Sequence, residues 1–148
     1  KASPTNFIRM DALENSMKET GPKSMVYFTL DIMNEGYYKD VFEFEIEEEN
    51  GLMGLMSQQA VTILPGETAR VNLGILTPEK LFDPGTPNKI NVYVRSTGNT
   101  TKTLIGSLIV VTKGFYISPL AGIIAAPVII ILVGAYVFFK YYKDKQER

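Results

Sequence analysis

Apolar and polar positions alternate with period two along most of the chain before residue 115, the pattern of strands with one dry and one wet face. In residues 25–33, Val26, Phe28, Leu30 and Ile32 fall on one side. In residues 39–47, Phe42, Phe44 and Ile46 oppose Glu43, Glu45 and Glu47. Ala69, Val71, Leu73 and Ile75 alternate with polar or small residues in 68–76, and Ile90, Val92 and Val94 alternate with Asn91, Tyr93 and Arg95 in 89–96. Shorter runs at residues 6–10, 60–64 and 102–111 bring the expected total to seven strands.

Turn chemistry falls between these runs. Asn34-Glu35-Gly36 separates two strands, and Leu64-Pro65-Gly66-Glu67 places Pro and Gly where a type II turn needs them. Asp83-Pro84-Gly85-Thr86-Pro87 is expected to break the chain before the sixth strand, and Ser96-Thr97-Gly98-Asn99 to form a hairpin tip. No segment before residue 115 carries helical periodicity of useful length. The pattern predicts an all-β fold, a seven-stranded antiparallel sandwich of immunoglobulin-like type. It lacks the Cys–Trp–Cys core of antibody domains, so packing alone must hold it.

The pattern changes abruptly near the C-terminus. Residues 114–139 are 26 consecutive positions without a formal charge. Within them, residues 119–139 (PLAGIIAAPVIIILVGAYVFF) form a 21-residue apolar stretch. As a helix at ~1.5 Å per residue it would span about 31 Å, close to the ~30 Å hydrocarbon core of a bilayer. Ser118 suits the N-cap and Pro119 the first helical position. Phe115 and Tyr116 at one end, and Tyr136, Tyr141 and Tyr142 at the other, fit interfacial aromatic belts. Pro127 removes a backbone hydrogen bond inside the helix. Gly122 with Ala126, and Ala121 with Ala125, are small-residue pairs one turn apart, which either let a second helix approach closely or reflect ordinary apolar composition.

Charge divides the chain the same way. Residues 1–118 carry 11 basic and 14 acidic side chains, while residues 140–148 carry four basic and two acidic ones. A basic tail beside the helix places the C-terminus in the cytoplasm by the positive-inside rule. The expected organisation is an extracytoplasmic sandwich over residues 1–113, a juxtamembrane linker over 114–118, a transmembrane helix over 119–139 and a basic cytoplasmic tail over 140–148. The membrane is a cell membrane or one of endoplasmic-reticulum type, with the N-terminal domain outside or lumenal. The opening residues KASPTNF hold no hydrophobic signal region, so either a signal peptide has been removed or the chain is a fragment.

Composition narrows the chemistry. The 148 residues include no Cys, no His and no Trp. Zinc fingers, iron–sulfur and haem ligation by the usual ligands, disulfide scaffolds and His-dependent nucleophile triads are therefore excluded. A net charge of −1 gives no reason to expect a nucleic-acid partner. No catalytic residue, cofactor-binding residue, metal ligand or small-molecule substrate is expected, and the chain reads as a non-enzyme.

Three features remain as candidates. Glu43, Glu45, Glu47, Glu48 and Glu49 form either a solvated strand face that discourages edge pairing or a set of carboxylates for a hard cation. Asn99-Thr100-Thr101 is a glycosylation sequon in the expected hairpin tip, so Asn99 is the modification candidate. Residues 51–56 (GLMGLM) read either as a crossover covering one end of the sandwich or as an adaptable contact surface, and Tyr37 and Tyr38 have the same two readings.

The stretch ending in Asn34-x-Gly36, the apolar–acidic strand, Leu64-Pro65-Gly66-Glu67 leading into TARVNLGILTP, and KINVYVRS together resemble immunoglobulin-like (NEW3/CARDB-type) archaeal or bacterial surface domains beside membrane anchors. The resemblance covers about residues 24–112 and implies a fold more than a task. The whole layout is similar to the alpha and beta subunits of the translocon-associated protein (TRAP) complex, which have a lumenal sandwich, one C-terminal helix and a short basic tail. That layout implies an accessory subunit docked, with an integral membrane partner and the lipid bilayer, in a hetero-oligomer of the secretion, translocation or N-glycosylation kind. The other reading is a surface or S-layer anchor, or the last module of an adhesin stalk. With the last strand ending near Thr112, a link of about seven residues reaches at most ~23 Å at ~3.3 Å per residue. That reach favours the accessory reading, since an adhesin gains by standing far from the surface.

Overall fold

The computed structural model describes residues 8–12, 14–99 and 103–146. Residues 6, 7 and 102 of the expected strands, Thr100 and Thr101 of the sequon, and residues 147–148 of the tail lie outside the described residues. Among the described residues there are nine strands and one helix: β1 (Ile8–Ala12), β2 (Met17–Thr20), β3 (Met25–Asn34), β4 (Asp40–Glu48), β5 (Met53–Met56), β6 (Ala60–Ile63), β7 (Thr68–Leu76), β8 (Phe82–Ser96), β9 (Thr103–Phe115) and α1 (Pro119–Gln146). They form two sheets, ordered β1-β3-β7-β5 and β2-β9-β8-β4-β6. Pairing is antiparallel except between β2 and β9, which run parallel.

The inner faces are the ones the alternation selects. Phe28, Leu30 and Ile32 of β3 and Val71, Leu73 and Ile75 of β7 pack with Ile90, Val92 and Val94 of β8, Val110 of β9 and Phe42 of β4, all essentially buried. Each such side chain contributes roughly 1.5–3 kcal/mol by leaving water. Phe44 and Ile46, expected beside Phe42 in the core, are only half-buried. β6 pairs with β4 only from Asp40 to Glu43, so the farther half of β4 is flanked by β8 alone and its other edge is open.

Seven expected strands become nine because the short edge strands β2 (MKET) and β5 (MGLM) show no alternation and are fixed by pairing with β9 and β7. The expected break at residues 83–87 is instead part of β8, with a register shift between Pro84 and Thr86. β4 pairs with β8 only from Ile90 to Ser96, so both prolines lie where β8 has a strand on one side and their missing donors cost little. Asp83 replaces the lost ladder: its Oδ1 accepts the N–H groups of Gly85 at 3.1 Å and Thr86 at 2.9 Å, and its Oδ2 accepts from Lys80 Nζ at 2.9 Å.

The Lys80 ammonium, then the Thr86 and Gly85 donors, hold the buried Asp83 carboxyl well below the usual carboxylate range. A carboxyl depressed in the native state stabilises the fold above its unfolded value of about 3.9, and that contribution is lost as pH falls below it. The melting temperature is therefore expected to fall between about pH 5 and about pH 2. Asp83→Asn should be less stable at neutral pH and show a shallower acid slope in thermal scans; parallel curves would contradict this role.

The turns follow their residues. Gly66 sits at φ 75°, and Glu67 N–H donates to the Leu64 carbonyl at 3.1 Å, as a type II turn requires. The buried Asn34 amide donates to the carbonyls of Tyr38 (2.8 Å) and Ile63 (3.0 Å), while its Oδ1 accepts from Gly36 N–H (2.9 Å). The Asn-x-Gly motif is thus an Asx turn that ties together two loops at the end of β3.

β9 continues to Phe115, so residues 116–118 alone separate it from α1, fewer than a strand ending at Thr112 implied. α1 is capped as expected, with Ala121 N–H donating to Ser118 Oγ at 3.2 Å. It runs on through Pro127 to Gln146, past the apolar stretch and into the basic tail. It is one helix long and apolar enough to cross a membrane, and its side chains are exposed along its length.

Candidate interaction surface

β3 presents Phe28, Leu30 and Ile32 inward, so Met25, Tyr27, Thr29 and Asp31 face outward. Register decides what lies beside them. Met25, Leu76 and Met53 form one row across β3, β7 and β5, and Tyr27, Gly74 and Leu55 form the next. The resulting patch is apolar and open: Met25 is 46% exposed, Tyr27 62%, Met53 65% and Leu55 74%. Gly74 leaves room for the Tyr27 ring, since a Cβ there would meet its ring carbons at 3.2 and 3.4 Å. Farther along β3 the same face turns polar, with Arg70 pairing to Asp31 at 2.9 Å and holding that carboxyl below its ordinary range. The contiguous apolar rows are the kind of exposed surface that a protein contact covers.

Residues 51–56 divide between core and surface. Leu52 turns into the core at 4% exposure, while Met53 and Leu55 of the new strand β5 point out. Behind the patch edge, β4 and β5 bound a groove of about 430 Å³ lined by Phe44, Ile46, Leu55 and Met56. Glu48 spans from β4 to accept the Gly54 N–H at 2.8 Å, fastening the edge strand.

Glu45, Glu47 and Glu49 are engaged with β8. Glu47 accepts from Tyr93 Oη at 2.7 Å and Asn91 Nδ2 at 3.1 Å, which lowers its pKa and raises that of Tyr93. Glu45 lies 3.7 Å from Arg95, and Glu49 accepts the Lys89 N–H at 3.2 Å. This cross-strand ladder matches the strand-face reading of the run. Among the described residues no three potential metal-ligating side chains gather.

Other candidates lie elsewhere. Tyr37 and Tyr38, both exposed, follow the opposite end of β3 and are not part of the patch. Asn99 is half-buried, its N–H donating to Ser96 Oγ at 3.0 Å, and the threonines of its sequon are outside the described residues. Gly122 and Ala126, and Ala121 and Ala125, lie one turn apart on exposed stretches of α1; a Cβ at Gly122 would meet nothing within 4 Å. Sequence reasoning missed Met25 and Tyr27. Their signal was available, because both are large and apolar on the face that alternation assigns to water.

No protein-family model matches the chain, and no curated protein matches it. Solved structures are similar in fold. A FixG-related protein from Vibrio parahaemolyticus aligns at TM-score 0.53 and 14% identity, covering 73% of this chain and 96% of that one. The ASH/PapD-like domain 7 of human CEP192 aligns at TM-score 0.51 and 9% identity, covering 80% and 92%. The Salmonella enterica SafA pilin in complex with the SafB chaperone gives TM-score 0.52 and 9% identity, covering 76% and 56%. At these identities the likeness concerns the fold alone: the described residues before α1 form an immunoglobulin-like β-sandwich.

Proposed function

We propose that this chain is a non-enzymatic, single-pass accessory subunit of a larger membrane complex. Its sandwich docks outside the cytoplasm and its helix packs beside the membrane helices of an integral partner. The observation that carries the reading is the apolar half of the β3–β7–β5 face, built around Tyr27 and Leu55, on a chain that also has a helix able to cross a membrane. A helix gains little from lipid alone but gains dispersion energy where small residues such as Gly122 and Ala126 admit a neighbour. Three residues join β9 to α1, so once one contact forms the other forms at high effective concentration. The layout resembles that of the TRAP alpha and beta subunits, which makes a secretion, translocation or N-glycosylation complex the preferred setting. NEW3/CARDB-type surface domains remain the preferred relatives of the sandwich itself.

The topology has a direct test. In sealed, right-side-out vesicles, added protease should digest the sandwich and spare an epitope placed after Arg148. Loss of that epitope in intact vesicles would reverse the orientation and remove the accessory reading as stated.

A further inference from the structure

One apolar feature of the sandwich is left unused by the patch on β3, β7 and β5. Phe82 opens β8 and Phe115 closes β9, and register sets them opposite each other. Their ring centroids are 4.7 Å apart and tilted by 34°. Stacked aromatics usually hide from water, yet Phe82 is 54% exposed, Phe115 76% and the preceding Leu81 70%. The tip is held by its backbone, since Tyr116 N–H donates to the Leu81 carbonyl at 3.1 Å. Three lysines lie near it in the fold. Lys113 pairs with Pro84 in register, Lys80 is bonded to Asp83, and Lys23, ion-paired with Glu79 at 2.8 Å, has its Nζ 5.0 Å from the Tyr116 ring centroid.

An apolar aromatic tip with lysines near it matches the boundary between acyl chains and phosphate headgroups, where amphipathic and aromatic groups gather. The chain direction agrees, because Phe115 already lies in the uncharged run that leads to Pro119. We propose that Leu81, Phe82 and Phe115 form a lipid-seated foot of the sandwich, with the rings at the acyl boundary and the lysines toward the phosphates. This rests on the membrane reading of α1. The foot is a second attachment to the bilayer from a part of the chain more than thirty residues before the helix, and it restricts the sandwich's freedom to tumble on its tether.

The chain has no Trp, so one introduced indole reports one place. Full-length Phe82→Trp, Leu81→Trp, Tyr37→Trp and Phe138→Trp variants would be reconstituted into phosphatidylcholine–phosphatidylglycerol vesicles with and without brominated acyl chains. Phe138→Trp should be quenched by the bromolipid, which establishes insertion of the helix. Phe82→Trp and Leu81→Trp should then emit to the blue of Tyr37→Trp and lose much of their fluorescence to bromolipid, while Tyr37→Trp loses none. A quenched Phe138→Trp with both foot reporters matching Tyr37→Trp would overturn the foot while leaving the membrane reading intact. That outcome would include a tip reserved for a protein partner. An unquenched Phe138→Trp would overturn the membrane reading and the foot with it.

Discussion

Phe42→Ala is expected to cost the sandwich about 3–5 kcal/mol, a large share of the ~5–15 kcal/mol that holds a domain of this size. Phe42 is fully buried between the sheets, so truncation loses transfer energy and leaves a cavity with little freedom to collapse. Phe44→Ala, two positions along the same face, is expected to cost only about 1–2 kcal/mol, because β6 ends before reaching it and its ring already borders the groove. Glu45→Lys, on the outer face beside Arg95, should change stability by about 0.5 kcal/mol. Urea unfolding of the full chain in mild detergent, followed by far-ultraviolet circular dichroism, would rank the three. Equal losses at Phe42 and Phe44 would contradict the uneven cover of β4.

That comparison also marks where sequence reading ends. The side chains of β3, β7 and the second half of β8 were assignable to faces from period two alone, because each is a long strand with one wet side. Phe44 and Ile46 obey the same period, yet their burial depends on how far β6 extends, and a chain segment does not encode its neighbour's length. The short strands β2 and β5 carry no apolar–polar alternation and exist through the partners they pair with. Pro84 and Pro87 punctuate the sequence as a break, but in a stretch of β8 covered on one side they are tolerated as a bulge supported by Asp83. The interaction surface was half legible. Met53 and Leu55 stood out as an apolar stretch, whereas joining them to Met25 and Tyr27 required the β3–β7–β5 register. Tyr37 and Tyr38 are equivalent to them on composition, but the chain places them at the other end of β3.

Loss of the partner is the second large effect expected. Tyr27 and Leu55 flank Gly74 and are the largest and most exposed side chains of their apolar row, and a few such side chains carry most of a contact's energy. Tyr27→Ser and Leu55→Ser should each cost about 1–2 kcal/mol of association, together roughly a hundredfold in affinity. Both side chains are well exposed, so the sandwich should stay folded. Tyr37→Ser, equally exposed but at the far end of β3, should have no effect on association. The deciding measurement is the amount of integral membrane protein recovered per copy of this chain after purification from its native membrane in mild detergent. The wild type and Tyr37→Ser should retain a stoichiometric partner that the Tyr27→Ser, Leu55→Ser double variant loses. A wild-type chain recovered as a lone monomer, or a partner retained equally by all three, would contradict the accessory-subunit account.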